Sequence, residues 1–285
     1  MNSARQFGTG QISFIGGGNM ARALISGLLR RDVGAQQLRV GEPNEATRAA
    51  LARDLGIAAT ADNRAALQGA ELVVLAVKPQ EVSRVLRDLH STLRELRPVL
   101  LSIAAGLRIA DLARLCPAGL PIVRAMPNRP ALVGAGVTGL YAAPGLTAAQ
   151  RSLVETVTLS AGRIVWLRAE SELDIVTALS GSGPAYFFLL AEHLAQAACA
   201  LGMEPETAAL LATETLHGAG QLARDGGALG DQRAAVTSRG GTTEAALRVF
   251  EAGGFEALVA RALAAAASRS AELAALLEQQ IRDSI

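Results

Sequence analysis

The sequence predicts a two-part chain, an α/β half followed by an all-α half. Three observations carry that reading. Short apolar runs alternate with helical patterns as far as Leu167, a strand–glycine–helix junction follows the first run, and no convincing strand pattern occurs from Arg168 to Ile285. The expected division is therefore residues 1–167 and residues 168–285.

Ile12–Ile15, Leu38–Gly41, Leu72–Val77 and Val99–Ile103 are runs of four to six apolar or near-apolar residues. Runs of that length are the pattern of strands covered on both faces. Met20–Arg31, Glu45–Leu55 and Gln80–Leu93 lie between them, with apolar residues spaced three and four apart, the period of a helix packed on one side. Such alternation predicts a parallel sheet with right-handed crossovers. Ile122–Ala125, Ala135–Tyr141 and Arg163–Leu167 read as further strands, with Thr147–Ser160 as a helix between the last two.

Pro184–Leu201, Pro205–Arg224, Thr242–Glu251 and Phe255–Arg282 read as helices rich in alanine and leucine. They are broken at Gly202, Gly226-Gly227, Gly240-Gly241 and Gly253-Gly254. Across Leu179–Gly202 the only acidic, basic or imidazole side chains are Glu192 and His193. A helix apolar on most faces must be covered on most faces. A region this small would struggle to cover several of them, so they are expected to pack against a second subunit.

Half of the 285 residues are hydrophobic and 19% are charged, enough apolar material for a sizeable core and too much for a disordered chain. The net charge of +1 provides no global field for nucleic acid or an anionic membrane. Cys116 and Cys199 have neither metal-ligand spacing nor the number for a disulfide framework, so no metal site is expected. No apolar run reaches the roughly 18 residues of a membrane span, and the opening MNSARQFGTGQ lacks the apolar stretch of a signal peptide. A cytoplasmic protein with no nucleic-acid or membrane partner is expected. Of the 27 basic residues, Lys78 alone is a lysine.

Ile12-Ser13-Phe14-Ile15-Gly16-Gly17-Gly18-Asn19-Met20-Ala21 fits G-x-G-x-x-[G/A], with Gly16, Gly18 and Ala21 in the three key places. Gly16 permits the tight turn, Gly18 lets the backbone approach a pyrophosphate, and Ala21 lets the helix pack close to the sheet. The helix N-terminus presents free N–H groups to the anion. Glu42 lies 24 residues beyond Gly18, near the spacing of an acid that binds the ribose 2′-OH of NAD. Asn44 and Arg48 suit the 2′-phosphate of NADP instead, so these signals conflict. Lys78, in Ala76-Val77-Lys78-Pro79, closes the third apolar run, where ligands of open α/β sheets bind.

Together with that motif, Ser102-Ile103-Ala104-Ala105-Gly106, Arg124-Ala125-Met126-Pro127-Asn128 and Leu179-Ser180-Gly181-Ser182-Gly183-Pro184-Ala185-Tyr186 make the chain resemble pyrroline-5-carboxylate reductases. The resemblance runs in register from about Ile12 to Leu273 and includes Thr237-Ser238-Arg239-Gly240-Gly241-Thr242-Thr243. It implies an N-terminal Rossmann dinucleotide-binding domain and a C-terminal helical dimerisation domain. The implied reaction is NAD(P)H-dependent reduction of the cyclic imine L-1-pyrroline-5-carboxylate to L-proline, the last step of proline biosynthesis. NADPH is the expected cofactor and NADH the alternative. The implied assembly is a homodimer, with a decamer of five dimers as the larger form.

By matching position, Gly16, Gly17, Gly18, Asn19, Met20, Ala21, Asn44, Asn63, Ala76, Val77, Lys78, Pro79, Ile103 and Ala105 would contact the cofactor. Ser238, Gly240, Gly241, Thr242 and Thr243 would hold the substrate, with Glu170 near its pocket. Exposed N–H groups and threonine hydroxyls at a helix start suit a carboxylate without a buried cation. Thr243 is the first candidate to hydrogen-bond the imine nitrogen and Ser180 the second. His90, His193 and His217 fall on predicted helices without an acid–base partner in sequence and read as structural or surface residues.

The sequence departs from the family pattern near this loop. Arg129 stands where threonine is usual, Arg239 where proline is usual, Gln232 for a usual leucine and Ala234 for a common acid. Arginine has neither the fixed φ nor the missing N–H of proline and adds a long cation. Two further readings follow: a reductase of a larger or more acidic cyclic imino acid, and a non-catalytic cofactor-binding paralogue.

Overall fold

The structure, a computed structural model, describes residues 10–284. The opening stretch read above for a targeting signal lies, up to Thr9, outside the described residues. Of the described residues, 10–181 and 267–284 form the first compact unit by chain contacts and 182–266 the second.

One sheet organises the first unit. Its strands are β1 (Gln11–Ile15), β2 (Leu38–Gly41), β3 (Ala58–Thr60), β4 (Ala70–Leu75), β5 (Val99–Ser102), β6 (Ile122–Met126), β7 (Gly136–Ala142) and β8 (Gly162–Trp166), in the order β3-β2-β1-β4-β5-β6-β7-β8. Successive side chains alternate between the faces, so the central strands β1, β4, β5 and β6 feed two cores. Ile12, Phe14, Leu72, Val74 and Leu101 join one, with Leu24 and Leu28 of α1 (Asn19–Leu29) and Leu51 of α2 (Glu45–Leu55). Ile15, Val73, Leu75 and Leu100 join the other, with Val82, Leu86 and Leu89 of α4 (Pro79–Leu96) and Leu112 of α5 (Ile109–Leu115). The strand order reverses between β1 and β4, and the crevice beyond those strand ends is where an open α/β sheet receives a ligand.

The sheet departs from expectation at its far edge. β7 runs antiparallel to β6, and β8, reached through α6 (Ala148–Leu159), is parallel to β7. The turn Arg129–Val133 brings the chain back beside β6 without a crossover helix, which antiparallel pairing allows. β4 starts at Ala70, two residues before the apolar run, and Ala76-Val77 leave the sheet as loop. β3, α3 (Asn63–Ala66) and α5 are too short for a periodic signal, and none was expected.

The expected boundary at 167/168 also shifts. α7 (Glu172–Val176) and the π turn Thr177–Gly181 belong to the first unit, because Leu173 and Ala178 are buried and Val176 lies against Gly139 of β7. The later residues of α12 (Phe255–Ser284) return to that unit. There Ala274 and Ile281 are buried, and Ser270 Oγ donates to Asp174 Oδ1 at 2.7 Å. Composition identifies these residues as helical and says nothing about which core they join.

The second unit holds α8 (Gly183–Ala200), α9 (Pro205–Asp225), α10 (Leu229–Ala235), α11 (Thr242–Ala252) and the start of α12. Among its described residues Ala208 is the only buried hydrophobic side chain. Phe187, Phe188, Leu189, Leu194, Leu210, Val249 and Leu258 are all at least half exposed or close to it. The continuous helical run 172–200 is long and apolar enough, by length and composition alone, to cross a membrane, which revises the expectation that no segment qualifies. An apolar surface of this extent on four helices calls for a covering partner.

Candidate active site

The nucleotide cradle is built at the end of β1. Gly16 has φ +99°, and a Cβ there would lie 2.6 Å from the Ala76 carbonyl oxygen, so glycine is required by conformation and by space. Two hydrogen bonds pin the turn: Gly16 N–H donates to Gly41 O and Ala76 N–H to Ile15 O, both at 2.8 Å. Gly18 is the N-cap of α1, with φ −68°, no side-chain cap and nothing within 4 Å of a built Cβ. The first-turn N–H groups of Asn19, Met20 and Ala21 therefore carry no side-chain cap, the arrangement that suits a pyrophosphate.

At the end of β2, Glu42 does not present an open carboxylate. Its Oε2 accepts from Gly17 N–H at 2.8 Å and its Oε1 from Asn44 N–H at 2.9 Å. Asn44 caps α2 through Oδ1, which accepts from Thr47 N–H at 2.9 Å. Arg48 donates to the Glu42 and Pro43 carbonyls at 2.9 and 2.7 Å, placing a cation beside this strand end. Asn63 sits against Gly41, and its Oδ1 is buried without a hydrogen-bond partner among the described residues. A buried acceptor left unpaired is costly in a finished protein and fits a hydroxyl or amino donor of an adenosine.

Lys78 is the exposed N-cap of α4, with Pro79 at the first helical position and no partner among the described residues. Ala76 and Val77 bring the chain from β4 past Gly16. Ile103 N–H donates to Leu75 O at 3.1 Å, which holds the β5 exit beside the β4 exit and leaves Ala105 exposed. The residues expected to hold a cofactor on the first unit thus converge at one edge of the sheet, and they fit a dinucleotide.

The π turn that carries Ser180 is fixed from two sides. Buried Asn128, after β6, donates from Nδ2 to Ser180 O at 3.0 Å and accepts Val137 N–H on Oδ1 at 2.9 Å. Ser180 Oγ donates to Val176 O at 2.9 Å, so its proton is already used. Glu170 is engaged within the fold: its Oε1 accepts from buried Arg124 at 2.8 Å and from Ile109 N–H, the start of α5, at 2.7 Å. This carboxylate ties β6, α5 and the approach to α7 together. Sequence reasoning missed the roles of Arg124 and Asn128; their partners are 46 and 52 residues away, beyond any local signal.

On the second unit, Ser238–Gly241 form a turn closed by Gly241 N–H to Ser238 O at 3.0 Å, with Gly240 at φ +71°. α11 begins at Thr242, one residue before the expected start near Thr243, and Gly241 gives it no side-chain cap. The hydroxyls of Thr242 and Thr243 have no partner among the described residues. Glu244, at the third helical position, accepts Gly240 N–H on Oε2 at 2.7 Å and pairs with Arg248 at 3.1 Å. An acid three residues past an N-cap is a readable signal, and sequence reasoning passed over it. Gln232 ties α10 to its entry by donating to Gly226 O at 2.9 Å. Arg129 and Arg239 are exposed and without a partner among the described residues, and nothing in the structure explains Ala234. His193 and His217 face Gln196 and Gln221 on their own helices, and His90 is exposed.

Residues 170–273 match the family described as pyrroline-5-carboxylate reductase dimerisation, and residues 11–106 match NADP oxidoreductase coenzyme F420-dependent. The chain is 44% identical over 272 residues to the pyrroline-5-carboxylate reductase of Pseudomonas aeruginosa, covering 95% of this chain and 99% of that one. The solved pyrroline-5-carboxylate reductase of Coxiella burnetii is similar at 38% identity and TM-score 0.90, covering 93% of this chain and 99% of that one. The Plasmodium falciparum enzyme, solved with NADP bound, is similar at 27% identity and TM-score 0.79, covering 93% of this chain and 98% of that one. The dimerisation match falls on the helices that expose the apolar surface, so the partner they require is a second copy of the chain.

Proposed function

The chain belongs to the pyrroline-5-carboxylate reductase family, and on that premise we propose that it reduces L-1-pyrroline-5-carboxylate to L-proline. The observation that carries the reading is a dinucleotide cradle at the β1/β4 switch point in a chain whose residues 170–273 match the family's dimerisation region. A bound nicotinamide cofactor supplies the hydride that adds to the C=N carbon, and a proton completes the ring nitrogen.

The protein's own part is binding and orientation. Gly16 to Ala21 are assigned the pyrophosphate, Asn44 and Asn63 the adenosine side, and Ala76–Pro79 with Ile103 and Ala105 the rest of the cofactor. Ser238 and the start of α11 are assigned the substrate carboxylate. Thr243 is the better donor to the imine nitrogen, because its hydroxyl is uncommitted whereas that of Ser180 is donated to Val176 O. Glu170 supports the fold around the π turn rather than meeting the ligand.

NADPH is the proposed preferred cofactor, supported by the Arg48 cation and by the engagement of both Glu42 oxygens with backbone N–H groups. The negative charge of Glu42 favours the second reading, NADH. Initial rates with both cofactors and the five-membered imine test these assignments together. Arg48→Ala is expected to raise KM for NADPH more than for NADH. No imine turnover by protein that still binds cofactor would turn the reading to a related imino acid, toward which exposed Arg239 beside Gly240 points, or to a non-catalytic role. A decamer of five dimers, tested by sedimentation, and a cytoplasmic location, tested by fractionation, complete the proposal.

A further inference from the structure

The turn that precedes α11 is loosely specified by its own residues. Gly240 has φ +71° at the third turn position while Arg239 keeps a negative φ at the second, the pattern of a type II turn. Proline is the residue that pre-sets the second position of such a turn, and arginine leaves it free. Two consecutive glycines follow, the residues with most conformational freedom to lose. The restraint comes from outside the turn. Glu244 Oε2 accepts Gly240 N–H at 2.7 Å, and Arg248, one helical turn further, holds the other oxygen at 3.1 Å. A charge-assisted hydrogen bond from an ion-paired carboxylate is the strong form of this contact.

We propose that Glu244 is a positioning residue, whose carboxylate holds the Ser238–Gly241 turn in the shape that presents Thr242 and Thr243 to the substrate. This rests on the reading that the turn and the start of α11 receive the substrate carboxylate. Glu244 touches neither substrate nor cofactor in this role. It removes the freedom that Arg239, Gly240 and Gly241 would otherwise lose on binding.

The test is a cycle on the full-length chain. Glu244→Ala should raise KM for the imine roughly threefold to tenfold, with kcat and the cofactor KM within about twofold. Glu244→Gln keeps an acceptor oxygen and should fall between Glu244→Ala and wild type. Adding Arg239→Pro to Glu244→Ala should restore the imine KM, because proline fixes the second turn position by covalent geometry. Hydrogen–deuterium exchange of the peptide spanning residues 237–245 should be faster in Glu244→Ala and slow again in the double variant, with or without substrate.

An unchanged KM and unchanged exchange in Glu244→Ala overturn the proposal. So does a raised KM that Arg239→Pro leaves raised, which would mean the carboxylate acts on the ligand and not through the turn. If wild type reduces no imine while the exchange pattern holds, the positioning of the turn stands and the proposed function fails.

Discussion

Gly18→Ala and Gly16→Ala sit two residues apart and are expected to fail differently. At Gly18 the backbone, φ −68° and ψ −177°, is open to any residue, and an added Cβ meets nothing within 4 Å. Alanine there should leave the fold intact or stabilise it by about 0.4–1 kcal/mol through the unfolded state. The added methyl would instead stand between the backbone N–H groups and a pyrophosphate. Losing one such hydrogen bond to a charged group costs about 1.5–3 kcal/mol, or roughly ten- to hundredfold in cofactor affinity. At Gly16, φ +99° strains any Cβ, and the Ala76 carbonyl 2.6 Å away belongs to a backbone pinned by its own hydrogen bond. Backbone strain of about 1–3 kcal/mol and overpacking of a similar size sum to about 2–6 kcal/mol, felt by folding as well as by binding. The assay is NADPH titration by fluorescence, paired with thermal melting. Gly18→Ala should weaken binding at an unchanged or slightly raised melting temperature, whereas Gly16→Ala should lower both. A Gly18→Ala protein that binds NADPH within twofold of wild type would refute the assignment of this loop to the pyrophosphate.

Three further outcomes follow from the packing. Phe187→Asp places a charge on the exposed apolar face of α8, and sedimentation should show loss of the dimer with monomer or aggregate in its place. Arg124→Ala strips the partner from the half-buried Glu170 carboxylate and should cost about 2–3 kcal/mol in urea melts, of which Arg124→Met with Glu170→Gln should recover part. Burial pushes the Cys116 thiol up to about 12 from 9.0, so the folded protein keeps this proton after the unfolded chain has lost it. The stability from that protonated thiol is complete below about pH 9 and is lost between there and about pH 12, at about 1.4 kcal/mol per pH unit. Cys116→Ala should show a flatter fall over that range, and an equal slope in both proteins would count against the buried thiol.

Local pattern determined a large share of this protein. The first four apolar runs, the helices between them and the strand–glycine–helix junction each carry their signal within a dozen residues, because burial on both strand faces and helical period are written into adjacent positions. The polar poverty of Leu179–Gly202 likewise announced an interface, and α8 exposes Phe187, Phe188 and Leu194. Tertiary structure decided what depends on distant partners. Whether β7 joins β6 antiparallel is settled by how the Arg129–Val133 turn returns, which no periodicity encodes. The loss of Glu42 to Gly17 N–H, of Glu170 to Arg124, and of the Ser180 proton's freedom within its π turn are hydrogen bonds chosen by folded geometry. So is the return of the α12 end to the first unit, since an alanine-rich helix is equally helical against either body and only the packed core at Ala274 and Ile281 distinguishes them. Residue type and spacing specify an element and its exposed chemistry, while the partner of each polar atom is set by segments that meet only once the chain has folded.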